Sequence, residues 1–302
     1  MKGVQVMPER LKFGIEKLDK MLGGGLFPGS LTVVYGATGV GKTQLGLTLA
    51  ANGERYEGQR GIIFDMTARG DSQRHDEYTK RLFGWELQDW DHFVRPGQEN
   101  PFPPPLAVET MRYCHEFDYG GRLAEYQVNK PEGRQFRWDW LAAYSRRWKR
   151  VLPFFYFHFA DGVRRVVVDG VDPTQAPHES IQLHLFEEVY RKIIHQDSET
   201  LGMEILIPVW KHRDFIEQRR YDHKQVTTLL LVTTEENLLD DLIARKVGEG
   251  DIGASANTAI LMGKRMVEGG VGRALYVAKH RGSACSEEIG EYVITDQGMT
   301  FP

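Results

Sequence analysis

The stretch "GATGVGKTQLGL", residues 36–47, decides the fold of this chain. It fits the pattern G-x-x-x-x-G-K-[ST] at every fixed position. The glycines let the backbone bend so that successive N–H groups surround phosphate oxygens, and the helix that follows adds its positive dipole end. In such a loop the lysine reaches the β- and γ-phosphates and the hydroxyl coordinates Mg²⁺, so these roles are assigned to Lys42 and Thr43. The residues predicted to contact the phosphates are Gly36, Ala37, Thr38, Gly39, Val40, Gly41, Lys42, Thr43 and Gln44.

The segments on both sides of this loop have the periodicity that the motif requires. "SLTVVY" (residues 30–35) is a β-branched apolar run typical of a buried strand. "KTQLGLTLAANGERY" (residues 42–56) has apolar residues at helical spacing. Strand, glycine loop and helix are therefore expected in this order, and a chance glycine-rich turn is the disfavoured alternative. The sequence predicts a site that binds nucleotide phosphates together with Mg²⁺.

A second element supports this site. "RRVVVDG" (residues 164–170) is a buried-strand pattern with an acid near its carboxyl end. An Asp in this position holds Mg²⁺ in phosphate-loop enzymes, and Asp169 is the candidate. The next residue is Gly170, so no glutamate follows the magnesium ligand. We therefore expect the carboxylate that activates water to come from another strand.

Composition indicates an ordinary soluble protein. The chain has 302 residues, a net charge of −4 and two cysteines, which predict neither a general affinity for nucleic acid nor a disulfide framework. Its first residues lack the apolar stretch of a secretory signal. The longest apolar run, "VLPFFYFHFA" (residues 151–160), is too short to span a bilayer. We expect a cytoplasmic protein with no membrane partner.

Other strand patterns predict the fold class. Strands separated by helical stretches are typical of an α/β domain with a mostly parallel sheet. We expect one domain over residues 1–302, with insertions at about 94–160 and 172–225, the second containing a strand-like "MEILIPVW" (residues 203–210). The further strands predicted for the parallel sheet are Gly61–Asp65, Val226–Val232, Thr258–Met262 and Ala274–Ala278.

Both ends of the chain resemble one family. The opening "GIEKLDKMLGGGLFPGS" (residues 14–30), the helix end "RLFGWEL" (81–87) and the closing "ALYVAKHRGSACSEEIGEYVITDQGM" (274–299) are similar to KaiC-type domains of the RecA/RadA ATPase superfamily. The resemblance implies a RecA-like phosphate-loop core, with a twisted sheet flanked by helices. It also implies assembly into rings, commonly hexamers, with ATP between subunits.

The resemblance also implies roles for residues near the carboxyl terminus. In the K-x-R-G-[ST] stretch, Lys279 and Arg281 would reach the γ-phosphate bound by a neighbouring subunit, and Ser283 would contact the nucleotide. A fixed cation stabilises the charge that develops during phosphoryl transfer. Thr295 and Asp296 of the I-T-D stretch would lie near the base and ribose. Without the resemblance, this basic stretch would be interpreted as a surface loop.

One departure from the family concerns catalysis. KaiC-type domains commonly carry two glutamates after the second strand, and Asp65 and Met66 stand at this place. Asp65 is our candidate for positioning the attacking water. Its shorter side chain predicts slow turnover, because a misplacement of about 1 Å can cost ~10²-fold in rate. The alternative acids are Asp71, Glu77 and Glu235.

The remaining signals leave function open. The basic and aromatic segment 132–150 and the charged segment 211–224 could contact nucleic acid, but helices that pack on the core or face solvent are favoured. His75, His115 and His178 have no metal-ligand spacing, so only nucleotide-bound Mg²⁺ is predicted. We expect an ATPase that acts in signalling or regulation with an unknown protein partner. The rival interpretations are a DNA-binding ATPase similar to recombinases, and a scaffold that holds ATP with little turnover.

Overall fold

The fold is a nine-stranded sheet with the strand order β3-β2-β4-β5-β1-β6-β7-β8-β9. A computed structural model of the protein describes residues 9–67, 74–88, 113–115, 151–173, 180–206, 213–246 and 250–302. The strands are β1 Leu31–Gly36, β2 Ile62–Asp65, β3 Tyr113–His115, β4 Arg165–Val171, β5 Thr227–Thr233, β6 Thr258–Val267, β7 Gly270–His280, β8 Gly290–Thr295 and β9 Gly298–Thr300.

The sheet is parallel from β3 to β6 and antiparallel from β6 to β9. The prediction that residues 274–278 form a parallel strand is therefore wrong. Only two residues separate β6 from β7, and Val267 pairs with Gly270. Such a short connection makes a hairpin, because a parallel neighbour needs a crossover of a dozen or more residues.

Helices cover both faces of the sheet. Among the described residues, no helix is both long and apolar enough to cross a membrane. The predicted strand at residues 203–210 is wrong where it is described, since residues 203–206 lie in a helix; residues 207–210 lie outside the described residues. A short apolar run cannot be assigned to strand or helix by periodicity alone. The helices are α1 Glu16–Met21, α2 Lys42–Glu57, α3 His75–Phe83, α4 residues 151–160, α5 Ile181–Val189, α6 Ser198–Leu206, α7 Arg213–Gln218 and α8 Leu239–Ala244.

Each face of the sheet has its own apolar core. Val33 belongs to the core that contains Phe155 of α4 on one face, whereas its neighbour Val34 belongs to the core that contains Leu45 of α2 on the other. Successive strand residues point to opposite faces, so an uninterrupted apolar strand supplies both cores. The predicted class, a mostly parallel sheet flanked by helices in a RecA-like phosphate-loop fold, is confirmed. The boundaries of a single domain and its insertions stay predictions, and most of the first insertion lies outside the described residues.

The parallel strands define two opposite edges of the sheet. We call the end marked by Gly36, Asp65 and Asp169 the carboxyl edge, and the opposite end, marked by Leu31 and Thr258, the amino edge. Asp65 of β2 pairs directly with Asp169 of β4, so the sheet itself brings these two carboxylates together. The glycine loop begins at the same edge, where β1 ends at Gly36.

Candidate functional site

The glycine loop between β1 and α2 depends on its glycines for shape. Gly39 and Gly41 have φ values of 82° and 100°, in the left-handed region that favours glycine. A Cβ on Gly41 would lie 2.7 Å from Ile294 Cδ1, and one on Gly36 would lie 2.4 Å from the Met262 carbonyl oxygen. Gly41 is also the residue that precedes α2, so the loop leads directly into the amino terminus of a 16-residue helix. This arrangement suits anion binding.

The ammonium of Lys42 lies against this loop. Lys42 Nζ donates to the carbonyl oxygens of Gly36 (2.8 Å) and Ala37 (3.0 Å), and its side chain is buried. Burial lowers the pKa of Lys42 to about 8, although the negative charge of Asp169 acts in the opposite direction. The cation is therefore held beside the main chain that would surround the phosphates.

The two predicted metal ligands are in contact. Thr43 Oγ1 donates to Asp169 Oδ2 at 2.8 Å, and the Gly170 N–H donates to Asp169 Oδ1 at 2.8 Å. Gly170 has a φ of 93°, and a Cβ there would meet the Thr67 nitrogen at 2.2 Å. A hydroxyl and a carboxylate at the start of α2 fit Mg²⁺, which binds through few protein oxygens and the phosphates of its nucleotide.

His75 is the residue at this site that the sequence did not reveal. Its side chain is buried, with Nε2 at 3.1 Å from Asp169 Oδ2 and Nδ1 at 3.6 Å from Asp65 Oδ2. Burial by itself lowers the pKa of His75, but the hydrogen bond and charge of Asp169, with the charge of Asp65, raise it overall. Burial likewise opposes ionisation of Asp169, yet His75 and Thr43 hold its pKa below the usual range.

A sequence signal for His75 did exist. Metal-ligand spacing was the wrong criterion, because His75 is paired with two carboxylates from different strands. His75 is the first residue of α3, the helix that follows β2. A helix that follows a parallel strand begins near the carboxyl edge, so a histidine in its first turn is a candidate for the site.

Asp65 is buried and held in place by the chain. Its side chain has 0% exposure, and Oδ1 accepts hydrogen bonds from the Thr67 N–H (2.9 Å) and hydroxyl. The alternative acids lie elsewhere or outside the description. Glu77 is exposed and pairs with Arg74 at 3.0 Å, Glu235 is exposed, and Asp71 lies outside the described residues. Asp65 is therefore the candidate acid next to Asp169.

Lys279 and Arg281 do not lie at the carboxyl edge. Lys279 of β7 pairs with Ala259 of β6, and Ala259 pairs with Val33 of β1. Val33 lies three residues before Gly36, where the phosphate loop begins. That offset corresponds to about 10 Å along the sheet. The Arg281 N–H donates to the carbonyl of Asn257, still closer to the amino edge. Neither cation is brought to the phosphate loop of its own chain.

The side chains of these two cations bind a short turn. Lys279 Nζ donates to the carbonyl oxygens of Gly253 (2.9 Å) and Ala254 (3.0 Å), and Arg281 Nη2 donates to that of Ala254 (3.1 Å). The neighbouring Ile252 packs in the core on the face opposite α2. We call residues 279 and 281 the amino-edge cations.

The other residues implied by the resemblance fall on both edges. Ser283 lies near the amino edge, because its N–H donates to the carbonyl of His280, which pairs with Thr258. Thr295 ends β8 and Asp296 begins the turn to β9, and the preceding Ile294 lies beside Gly41 of the phosphate loop. The structure therefore divides the predicted nucleotide site into two groups of residues.

A glycine loop with Lys42, Thr43 and Asp169 at the carboxyl edge of a mostly parallel sheet defines a phosphate-loop nucleotide-binding domain of RecA type. Residues 11–94 match the family model described as "ATPase: KaiC". Residues 11–94 therefore resemble a KaiC-type ATPase domain, and the resemblance of the opening is confirmed over these residues. The closing segment, residues 274–299, lies outside this match, so the roles implied there stay predictions.

Three curated relatives each align with 29% of the chain. Over 88 residues, 29% of this chain, it is 47% identical to the circadian clock oscillator proteins KaiC of Parathermosynechococcus lividus and of a Picosynechococcus species. It is 33% identical, over the same length, to the protein of that name from Rippkaea orientalis. The aligned residues span 15% to 16% of the length of these relatives.

Proposed function

We propose that this protein is an ATPase that binds Mg-ATP at the loop of residues 36–44. The observation that carries the proposal is the contact between Thr43 and Asp169 beside the buried Lys42. A carboxylate, a hydroxyl and an ammonium converge at the amino terminus of α2. This combination suits a triphosphate and its metal better than it suits an uncharged ligand.

The chain supplies three functions at this site. Thr43 and Asp169 would hold the metal, and Mg²⁺ when bound would neutralise charge on the phosphates. Lys42 would bind the β- and γ-phosphate oxygens. Asp65 would orient the attacking water, and its two hydrogen bonds from Thr67 fix the direction of its carboxylate. We expect slow turnover, because Asp65 is short and buried.

The separation of the two groups of residues supports assembly. A second copy whose amino edge faced the carboxyl edge of the first would bring Lys279 and Arg281 to the nucleotide. Repetition of such a head-to-tail contact closes into a ring when the rotation allows it. We therefore propose a homo-oligomeric ring with ATP between subunits, a hexamer by resemblance. Its role would be regulatory, in the cytoplasm, through a partner protein still to be identified.

The charged segment 211–224 does not favour a nucleic-acid interface. Arg219 pairs with Asp161 at 3.0 Å, and Arg220 pairs with Glu199 at 2.8 Å. The basic and aromatic segment 132–150 lies outside the described residues. Stimulation of phosphate release by single-stranded DNA, lost at high salt, would favour the DNA-binding ATPase instead.

Two measurements on the wild-type protein test the proposal. Light scattering with and without Mg-ATP reports the assembly, and a phosphate-release assay reports turnover. We expect ATP-dependent oligomers and slow release of phosphate. Oligomers without release would indicate the scaffold, and a monomer that releases phosphate would exclude the shared site.

A further inference from the structure

A buried tyrosine and aspartate connect the strand of the phosphate loop to the turn that binds the amino-edge cations. Tyr35 is the residue of β1 immediately before Gly36, and its hydroxyl donates to Asp251 Oδ1. Tyr35 is 6% exposed and Asp251 9% exposed, so water competes little with this hydrogen bond. Burial, with the charge of Asp251, raises the pKa of Tyr35, which keeps its hydroxyl protonated as a donor.

Asp251 in turn holds the backbone of the turn. It precedes the 3₁₀ turn Ile252–Ala254, and its Oδ1 also accepts from the Gly253 N–H at 2.8 Å. Its Oδ2 accepts from Arg245 Nη2, and the Arg245 guanidinium lies 5.1 Å from the Tyr35 ring centroid. Both carboxylate oxygens are therefore used to fix the turn against β1.

The close approach of Tyr35 to this turn requires a glycine. A Cβ at residue 253 would lie 2.3 Å from the Tyr35 hydroxyl oxygen, so any larger residue would displace the ring or the turn. The carbonyls oriented in this way, those of Gly253 and Ala254, are the acceptors of Lys279 and Arg281. The contacts thus run without interruption from Tyr35 to both amino-edge cations.

We propose that Tyr35 and Asp251 are positioning residues for Lys279 and Arg281. They hold the turn whose carbonyl oxygens orient these two cations, which would reach the nucleotide of the neighbouring copy. The inference rests on the proposed shared site, and it adds a distinctive consequence. Although Tyr35 adjoins its own phosphate loop, its hydroxyl acts on the site of the next subunit.

Tyr35→Phe tests this because it removes the hydroxyl and keeps the ring in the core. We expect a kcat for phosphate release roughly tenfold lower, since a misplacement of about 1 Å can cost ~10²-fold and the turn keeps its other contacts. The KM for ATP and the ATP-dependent assembly should be unchanged. Tyr190→Phe is the matched control, because it removes a hydroxyl from the same face of the sheet, from a ring that contacts Phe186 and His195. An unchanged kcat for Tyr35→Phe would overturn the proposal.

A mixing experiment tests whether Tyr35 acts on the nucleotide site of the neighbouring subunit or on the phosphate loop of its own chain. Lys42→Ala subunits are expected to lose ATP but keep an intact turn and intact cations. Mixed with Tyr35→Phe subunits, they should raise phosphate release per Tyr35→Phe subunit several-fold, towards the wild-type value. If Tyr35 acted through β1 on its own loop, the mixture would show no rise, and the inference would be wrong.

The same design distinguishes this inference from the proposed function. In parallel, Arg281→Ala subunits are mixed with Lys42→Ala subunits. If that pair recovers activity and the Tyr35→Phe pair does not, the shared site stands and the positioning role of Tyr35 fails. If the Arg281→Ala pair stays inactive after subunit exchange is verified, the shared site itself fails. Asp251→Asn, nearly isosteric, is the second variant should Tyr35→Phe lower the melting temperature.

Discussion

His75 Nε2 lies 3.1 Å from Asp169 Oδ2, and its Nδ1 faces the carboxylate of Asp65, which pairs with Asp169 in the sheet. The paired register of Asp65 and Asp169 places two acids side by side in a buried position. Two such charges without a counter-charge would oppose folding. The imidazole of His75 lies against both carboxylates and supplies part of that compensation, and the ammonium of Lys42 adds to it at Asp169.

The first prediction concerns this histidine. His75→Ala should lower the free energy of unfolding by about 3 kcal/mol at neutral pH, because it removes the imidazole that lies against two buried carboxylates. Mg²⁺ should recover part of the loss, since a cation held by Asp169 would replace the missing charge. Urea unfolding with and without Mg²⁺ measures both effects.

The control for this prediction is His184→Ala, at an exposed position of α5. We expect little change in its unfolding free energy and no dependence on Mg²⁺. An equal loss in the two variants would show that His75 does not compensate the carboxylates.

The second prediction concerns nucleotide binding. Lys42→Ala should abolish most of the thermal stabilisation by Mg-ATP, because the ammonium beside Gly36 and Ala37 is removed. For the wild type the gain is ~2.7 kcal/mol when ATP is at 100 times its Kd. Melting curves at several ATP concentrations measure it, with the exposed Lys20→Ala as control. Equal melting shifts in mutant and wild type would rule out the assignment of the loop.

The third prediction concerns hydrolysis. We expect wild-type turnover at or below the low end of the usual ~1–10³ s⁻¹. Asp65→Asn should lower it further with ATP affinity nearly intact, because the amide oxygen can still accept from Thr67 but carries no charge. A phosphate-release assay and an ATP titration measure the two quantities. If the variant turned over as fast as the wild type, Glu77 and Glu235 would be the next acids to test.

The fourth prediction concerns Arg281. Arg281→Ala and Lys42→Ala subunits should each be nearly inactive, and their mixture should regain part of the activity. Some interfaces then pair an intact phosphate loop with an intact Arg281. A cation supplied in trans contributes ~10³–10⁵ in rate in well-studied cases, and we expect less here because Asp65 is short. A mixture that stays inactive after verified subunit exchange would contradict the trans role.

The fifth prediction concerns pH and stability. Arg10 Nη1 donates to His280 Nε2 at 3.0 Å, which favours the neutral imidazole with its proton on Nδ1, near the Thr258 hydroxyl at 2.8 Å. Burial, and then the charge of Arg10, lower the pKa of His280 below its usual value of about 6.5. The unfolded chain therefore binds this proton first as pH falls. The contribution of neutral His280 to the free energy of unfolding is therefore fully present above about pH 6.5. It is lost as the pH falls through the pKa of His280 in the folded protein.

Unfolding free energies of the wild type and His280→Gln, measured from neutral to acidic pH, test this. The other histidines are the same in both proteins, so the difference between the two curves reports His280. We expect the advantage of the wild type to shrink with falling pH. A difference that stays constant over that range would contradict the assigned protonation state.

The phosphate loop was predictable because its shape depends on residues close together in the sequence. The direction of the strands was harder to predict, because it depends on pairing between distant residues. The pattern from Gly36 to Thr43 needs only neighbouring residues, so the strand, loop and helix were predicted in the right order. The strands of residues 30–35 and 164–170 were located within one residue of their observed bounds. The predicted parallel strand at residues 274–278 failed, because strand direction depends on the hairpin before it.

The sequence by itself determined the phosphate loop, its lysine and threonine, the acid of β4 and the alternation that produces two cores. Each depends on the conformational freedom of glycine, on side-chain chemistry or on a period of two residues. Only the tertiary structure decided that His75 lies between Asp65 and Asp169, that Lys279 and Arg281 lie at the amino edge, and that Tyr35 reaches Asp251. Most of these contacts join residues far apart in the chain, and they depend on the register of the strands and on where the helices and turns pack against the sheet. A shift of one residue in that register would turn every side chain to the other face of the sheet.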